Sequence, residues 1–124
     1  MKYTIPIDAV PQERPRVNKN TGCVYDPAKS KKFKTDFARL FKAVRNDTSI
    51  YSGVLRVRID IFRPKSKFRK GVTSKKYGDW DNLGKPITDA LNGVLWTDDS
   101  ILADVRVVKH LATDPYVVLD VEVI

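Results

Sequence analysis

The chain has 124 residues, 42% of them hydrophobic and 31% charged, with a formal net charge of +8 and a pI near 9.7. This composition excludes a disordered chain, and the length suits one domain over residues 1–124 with a core that needs no disulfide or structural metal. No apolar run approaches the ~20 residues of a membrane-spanning helix, and Cys23 and His110 are each alone, which excludes an internal disulfide and a cysteine-rich zinc site.

The excess of bases points to a polyanionic partner, and nucleic acid fits better than a membrane surface. The opening MKYTIPIDAVPQERP is broken by Pro6, Asp8 and Pro11 and is no signal peptide. A cytoplasmic, reducing environment is therefore expected.

In chain order, Tyr3–Ile7 reads as an edge strand, because Pro6 cannot donate to a ladder. Pro11–Thr21 reads as a loop, in which Arg14 and Arg16 are candidate phosphate contacts. Asp26-Pro27 predicts a helix start, with Asp26 as N-cap and Pro27 in the first helical position. Phe33, Phe37, Leu40, Phe41 and Val44 then recur on one face of an amphipathic helix.

Val54–Phe62 alternates as a strand, with Leu55, Val57, Ile59 and Ile61 on one face. The basic run of Arg63, Lys65, Lys67, Arg69, Lys70, Lys75 and Lys76 contains no acid. It reads as a mobile loop that meets nucleic acid, with Phe68 interleaved.

Leu83, Ile87 and Leu91 predict a second helix from about Asn82 to Asn92-Gly93. Pro86 fits there only within the first turn or so. Strands follow at about Ile101–Lys109 and at Tyr116–Val123, with a turn at Asp114-Pro115. The order is β-α-β-α-β-β, an α+β fold with two helices packed on a mixed sheet.

Six aspartates (79, 81, 89, 98, 99 and 104) lie between Asp79 and Asp104 with one base, Lys85. In an extended segment Asp79 and Asp81 project to one side, and the second helix can return Asp98-Asp99 to the same end of the sheet. Converging carboxylates suit Mg²⁺ or Mn²⁺, which activates water for phosphodiester hydrolysis. Lys85 lies on one helical face with Asp81 and Asp89, placed either to contact the reacting phosphate or to pair with Asp89. Capping and turn chemistry explains the same acids without catalysis. Trp80 and Trp96 read as core or lid residues, and Cys23 and His110 as structural ones.

The chain resembles the RusA-type Holliday junction resolvases. The resemblance rests on Gly78-Asp79-Trp80-Asp81-Asn82-Leu83-Gly84-Lys85, Thr88-Asp89-Ala90-Leu91-Asn92-Gly93 and Trp96-Thr97-Asp98-Asp99-Ser100. Val105–Lys109, Arg14-Pro15-Arg16 and Val24-Tyr25-Asp26-Pro27 extend it over nearly the whole chain. It implies a Mg²⁺-dependent homodimeric endonuclease, common in phages and prophages, that nicks a four-way DNA junction on two opposed strands. Asp79, Asp81 and Asp99 match the family's catalytic carboxylates and Lys85 its catalytic lysine. Glu13 before the Arg14–Arg16 arm, and Gly84 and Pro86 at the helix start, depart from the family's pattern. The competing functions are a nucleic-acid-binding module without catalysis and a metal-dependent nuclease acting on flaps or RNA.

Overall fold

A computed structural model describes all of residues 1–124. Four strands form one mixed sheet in the order β1-β6-β4-β5: β1 (Lys2–Ile5), β4 (Leu55–Pro64), β5 (Leu102–Ala112) and β6 (Tyr116–Val123). A two-residue pair, β2 (Arg16–Val17) with β3 (Val24–Tyr25), turns the expected Pro11–Thr21 loop into a small hairpin. Apart from that pair, the β-α-β-α-β-β order and the α+β class are as expected.

Helix α2 (Trp80–Ala90) links β4 to β5, and these two strands run parallel, as a helical crossover allows. β1 is an edge strand, paired only with β6. Asp114-Pro115 does turn the chain, yet the strands it joins are not neighbours, because β4 lies between them. Two strand spacings are only about 10 Å, within reach of a three-residue link.

Both helices cover one face of the sheet. Leu55, Val57, Ile59 and Ile61 of β4 and Val117, Leu119 and Val121 of β6 are buried beneath them. Helix α1 (Ala28–Val44) contributes Phe33, Phe37 and Phe41, each 3% exposed or less, and burial of such side chains stabilises by about 1.5–3 kcal/mol apiece. Helix α2 contributes Leu83 and Ile87.

Several expected details are corrected. Pro27, not Asp26, occupies the N-cap of α1 and makes no side-chain cap. Asp26 instead accepts bonds from Lys34 Nζ (2.9 Å) and Gln12 Nε2 (2.9 Å). The Lys34 bond leads in holding its carboxyl below the usual range. Helix α2 starts at Trp80, earlier than expected, and Pro86 is its seventh residue, past the first turn.

The run after Arg63 is not a featureless loop. Residues 65–67 and 71–73 form 3₁₀ turns, and Phe68 between them is buried rather than available to a base. Arg63 itself is the last residue but one of β4 and is 8% exposed.

Candidate nuclease site

The site is built around the start of α2. Tyr77 is buried, and its hydroxyl lies 2.9 Å from the Ile61 carbonyl and 2.6 Å from that of His110, while accepting the His110 N–H at 3.2 Å. It therefore ties the segment before α2 to both β4 and β5, and burial raises its hydroxyl pKa. The Arg63 guanidinium binds the Tyr77 carbonyl and Asp8 Oδ1 (3.0 Å) and packs on the rings of Phe68 and Tyr77.

Lys109 donates to the Gly78 carbonyl at 3.1 Å. Gly78 has φ +104°, and a Cβ there would meet Pro11 Cγ at 2.9 Å. Conformation and space together require glycine at this position.

Asp79 follows as the N-cap of α2, in extended conformation, with no side-chain cap bond. Asp81 already lies in the first helical turn, and its Oδ1 accepts the Asn82 N–H at 2.9 Å. The two acids are thus divided between cap and helix, not carried on one extended segment. An acid in this first turn is favoured by the helix dipole.

At the other end of α2, Asp98 caps a 3₁₀ turn at 99–101, its side chain accepting from Ser100 N at 3.1 Å. Hydrogen bonding from Ser100, its side chain first and this N–H second, lowers the Asp98 carboxyl pKa. Asp99, one residue on, turns instead into a cleft of about 310 Å³ that Asp81, Asn82 and Lys85 also line. Trp80, Leu102, Val105 and Val107 supply its apolar wall.

The floor exists because α2 lies very close to β5. A Cβ on Gly84 would meet Val107 Cγ2 at 2.8 Å. Lys85 is 63% exposed and stands 3.5 Å from Asp89 Oδ1, while Asp89 also meets Lys34 of α1 at 3.5 Å. Asp89 is thereby engaged from both helices, and Lys85 retains a largely solvated ammonium.

The structure therefore brings Asp81, Lys85 and Asp99 to one cleft. Asp79 is not among its walls, and no three His, Cys, Asp or Glu side chains form a metal-binding group. The donor chemistry nevertheless suits a hard cation: Asp81 and Asp99 are carboxylates on one cleft, without ion pairs to bases.

The bases fall into three environments. Lys67, Arg69, Lys70, Lys75 and Lys76, with three Ser/Thr residues, line a second cleft of about 670 Å³ that has no hydrophobic wall. Only Tyr77 and Gly78 separate Lys76 from Asp79 in the chain. Lys65 is exposed beside that cleft's segment, whereas Arg63 is committed to Asp8 and Tyr77 and leaves the expected surface. Arg14 is exposed, and Arg16 stands 3.8 Å from Glu13.

The arm carrying Arg14 and Arg16 is anchored on the site. Gln12 N–H donates to the Asn82 carbonyl at 2.7 Å, and Glu13 N–H donates to buried Ser30 Oγ at 3.1 Å.

Sequence reasoning did not assign roles to Tyr77, Lys109 or the apolar wall. Of these, Tyr77 had a visible signal in its place between a basic run and Gly78. Trp96 is buried, its Nε1 donating to Asn92 Oδ1 at 2.8 Å, whereas Trp80 is 62% exposed and is neither core nor closed lid.

Comparison with known proteins gives the family of the chain. The family described as Endodeoxyribonuclease RusA matches residues 6–122. The protein named Uncharacterized protein YqaN of Bacillus subtilis (strain 168) is 35% identical over 133 aligned positions, covering 94% of this chain and 92% of that protein. The match takes in both clefts and the Gln12 arm, and the chain belongs to the RusA endodeoxyribonuclease family.

Proposed function

We propose that this protein is a divalent-metal-dependent endonuclease that resolves four-way DNA junctions by paired nicks. One observation carries the assignment of residues: Asp81, Asp99 and Lys85 line one cleft, while the neighbouring Asp98 is spent on Ser100. Asp81 and Asp99, joined by Asp79 from the helix N-cap, are the groups that would hold Mg²⁺, with Mn²⁺ as a substitute. When bound, the cation supplies an activated water and neutralises charge on the reacting phosphate.

The protein's own groups bind and orient the DNA. The Lys85 ammonium can meet a phosphate oxygen beside the carboxylates and steady charge on the departing oxygen. The cleft of Lys67, Arg69, Lys70, Lys75 and Lys76, together with Lys65, would hold a duplex arm through its phosphates. Arg14 and Arg16 extend that contact from the docked arm. A homodimer would offer two equivalent sites to a junction of two-fold symmetry, as paired nicking requires.

The test is nicking of a synthetic four-way junction, with Mg²⁺ or chelator, beside linear duplex, flap and RNA controls. Paired nicks on the junction, lost with chelator, are expected. Preferential cutting of flaps or RNA would replace the substrate, and tight binding with no metal-dependent nicking would leave a binding module.

A further inference from the structure

The cleft beside Asp81 and Asp99 has an apolar side that phosphate chemistry alone does not use. Trp80 is 62% exposed although it sits between two aspartates at the head of α2. With Leu102, Val105 and Val107 it walls the same cavity that Lys85 and the two acids rim. Val105, on the edge strand, is itself 42% exposed. Asn82 also lines the cavity, and only its backbone groups are engaged, the N–H by Asp81 and the carbonyl by Gln12. Its side-chain amide is free to donate and accept.

We propose that this apolar side takes up one unstacked nucleobase of the DNA strand being cut, with Trp80 as the stacking platform and the Asn82 amide facing the base edge. The proposal rests on the nuclease reading above and specifies how the strand is seated. A phosphate held near Lys85 and the acids carries its base within one nucleotide's reach. A flat ring with an apolar face and a polar edge matches a Trp and aliphatic wall that carries one amide. The volume, about 310 Å³, is at the small end of ligand cavities, which suits one base rather than a stacked pair. Bases that are already unpaired are the least costly to extrude, so a branch point is a favourable donor. Trp80 is then a binding and specificity residue, acting on the nucleotide beside the reacting phosphate.

The test uses the full chain and a four-way junction in chelator, where tryptophan emission is followed during titration. Trp96 is buried and serves as the constant background. Stacking on Trp80 is expected to quench emission on DNA binding, and Trp80→Phe to remove most of that change while retaining affinity within about twofold. Trp80→Ala is expected to weaken binding at least about fivefold, the lower range for loss of one base–aromatic stack. Far-ultraviolet circular dichroism should be unchanged in either variant, because Trp80 lies at the surface.

A second arm maps the nick and replaces the flanking base by an abasic site on either side. The wild type should lose binding about as much as Trp80→Ala does, and Trp80→Ala should no longer distinguish the two substrates. Equal sensitivity of wild type and Trp80→Ala to the abasic site, with DNA bound, would overturn the base cleft and leave the nuclease reading standing. Emission that changes with protein concentration but not with DNA would assign the Trp80 face to a second copy and overturn it too. No DNA binding by the wild type would overturn both readings.

Discussion

The backbone N–H of Gln12 donates to the carbonyl of Asn82 at 2.7 Å, and that carbonyl is free because Pro86, four residues on, has no N–H to offer it. A proline within a helix ordinarily costs about 3 kcal/mol or more. Here the orphaned acceptor becomes the docking point for the arm that carries Arg14 and Arg16. Replacing Pro86 by alanine restores a helical N–H that competes for Asn82. Amide exchange at Gln12 should then accelerate about fivefold, the factor carried by a bond worth about 1 kcal/mol. Unchanged protection of Gln12 in Pro86→Ala would show that other contacts hold the arm.

Gly84 lets α2 approach β5 closely enough to form the cleft floor. A methyl group there would press on Val107 Cγ2 at 2.8 Å, and Val107, branched at Cβ, has little room to turn. Gly84→Ala should destabilise by about 1 kcal/mol, overpacking outweighing the gain in helix propensity. Val107→Ala should cost less in the Gly84→Ala background than in the wild type. Additive losses in denaturant unfolding would mean that the two positions do not press on one another.

Tyr77 and Lys109 fix the segment that presents Asp79. Removing the Tyr77 hydroxyl leaves the His110 N–H and the Ile61 and His110 carbonyls without that partner. Tyr77→Phe should therefore cost about 1–3 kcal/mol. Lys109→Met keeps the stem and removes the bond to the Gly78 carbonyl. Its nicking rate should fall about tenfold or more with junction affinity little changed, since small displacements of catalytic groups are costly. A parallel loss of affinity would place Lys109 in DNA binding instead.

Acid stability carries a signature of Asp60, which lies on the sheet face away from the helices. Burial alone would raise its carboxyl pKa, but hydrogen bonds from Arg58 and His110 outweigh burial and hold it below the ordinary 3.8. A folded value below the unfolded one adds stability that is complete above about pH 5 and is lost as pH falls through the folded value. Urea unfolding between pH 5 and pH 2 should lose stability less steeply in Asp60→Asn than in the wild type. Identical slopes would remove Asp60 from the acid response.

Much of this was legible because its cause is local. The spacing of Phe33, Phe37 and Phe41, the alternation of Leu55 to Ile61 and the strand Tyr116–Val123 each follow from which face must be buried. Asp99 and Lys85 are singled out by the match to the family's motifs, and one cleft holds both together with Asp81. The misses were long-range. Nothing near Pro86 announces that Gln12, far back in the chain, satisfies its lost hydrogen bond, so the proline's position alone predicts too late a helix start. Arg63 reads as one more base of a run, until Asp8 and the Tyr77 carbonyl draw it inward. Trp80 stands between Asp79 and Asp81 and Trp96 between Leu95 and Thr97, and packing leaves the first exposed and buries the second.

The most direct test of the central claim compares Asp81→Asn, Asp99→Asn and Asp98→Asn in Mg²⁺-dependent nicking of a four-way junction, with binding measured in parallel. Each of the first two should lower nicking by at least about a hundredfold, the scale of one lost electrostatic contact in a catalytic site, while junction affinity stays within a few-fold. Asp98→Asn loses only a surface cap and should stay within about threefold of the wild type. If Asp99→Asn cuts normally, or if Asp98→Asn is the inactive variant, the cleft of Asp81, Lys85 and Asp99 is not where the phosphodiester is cleaved.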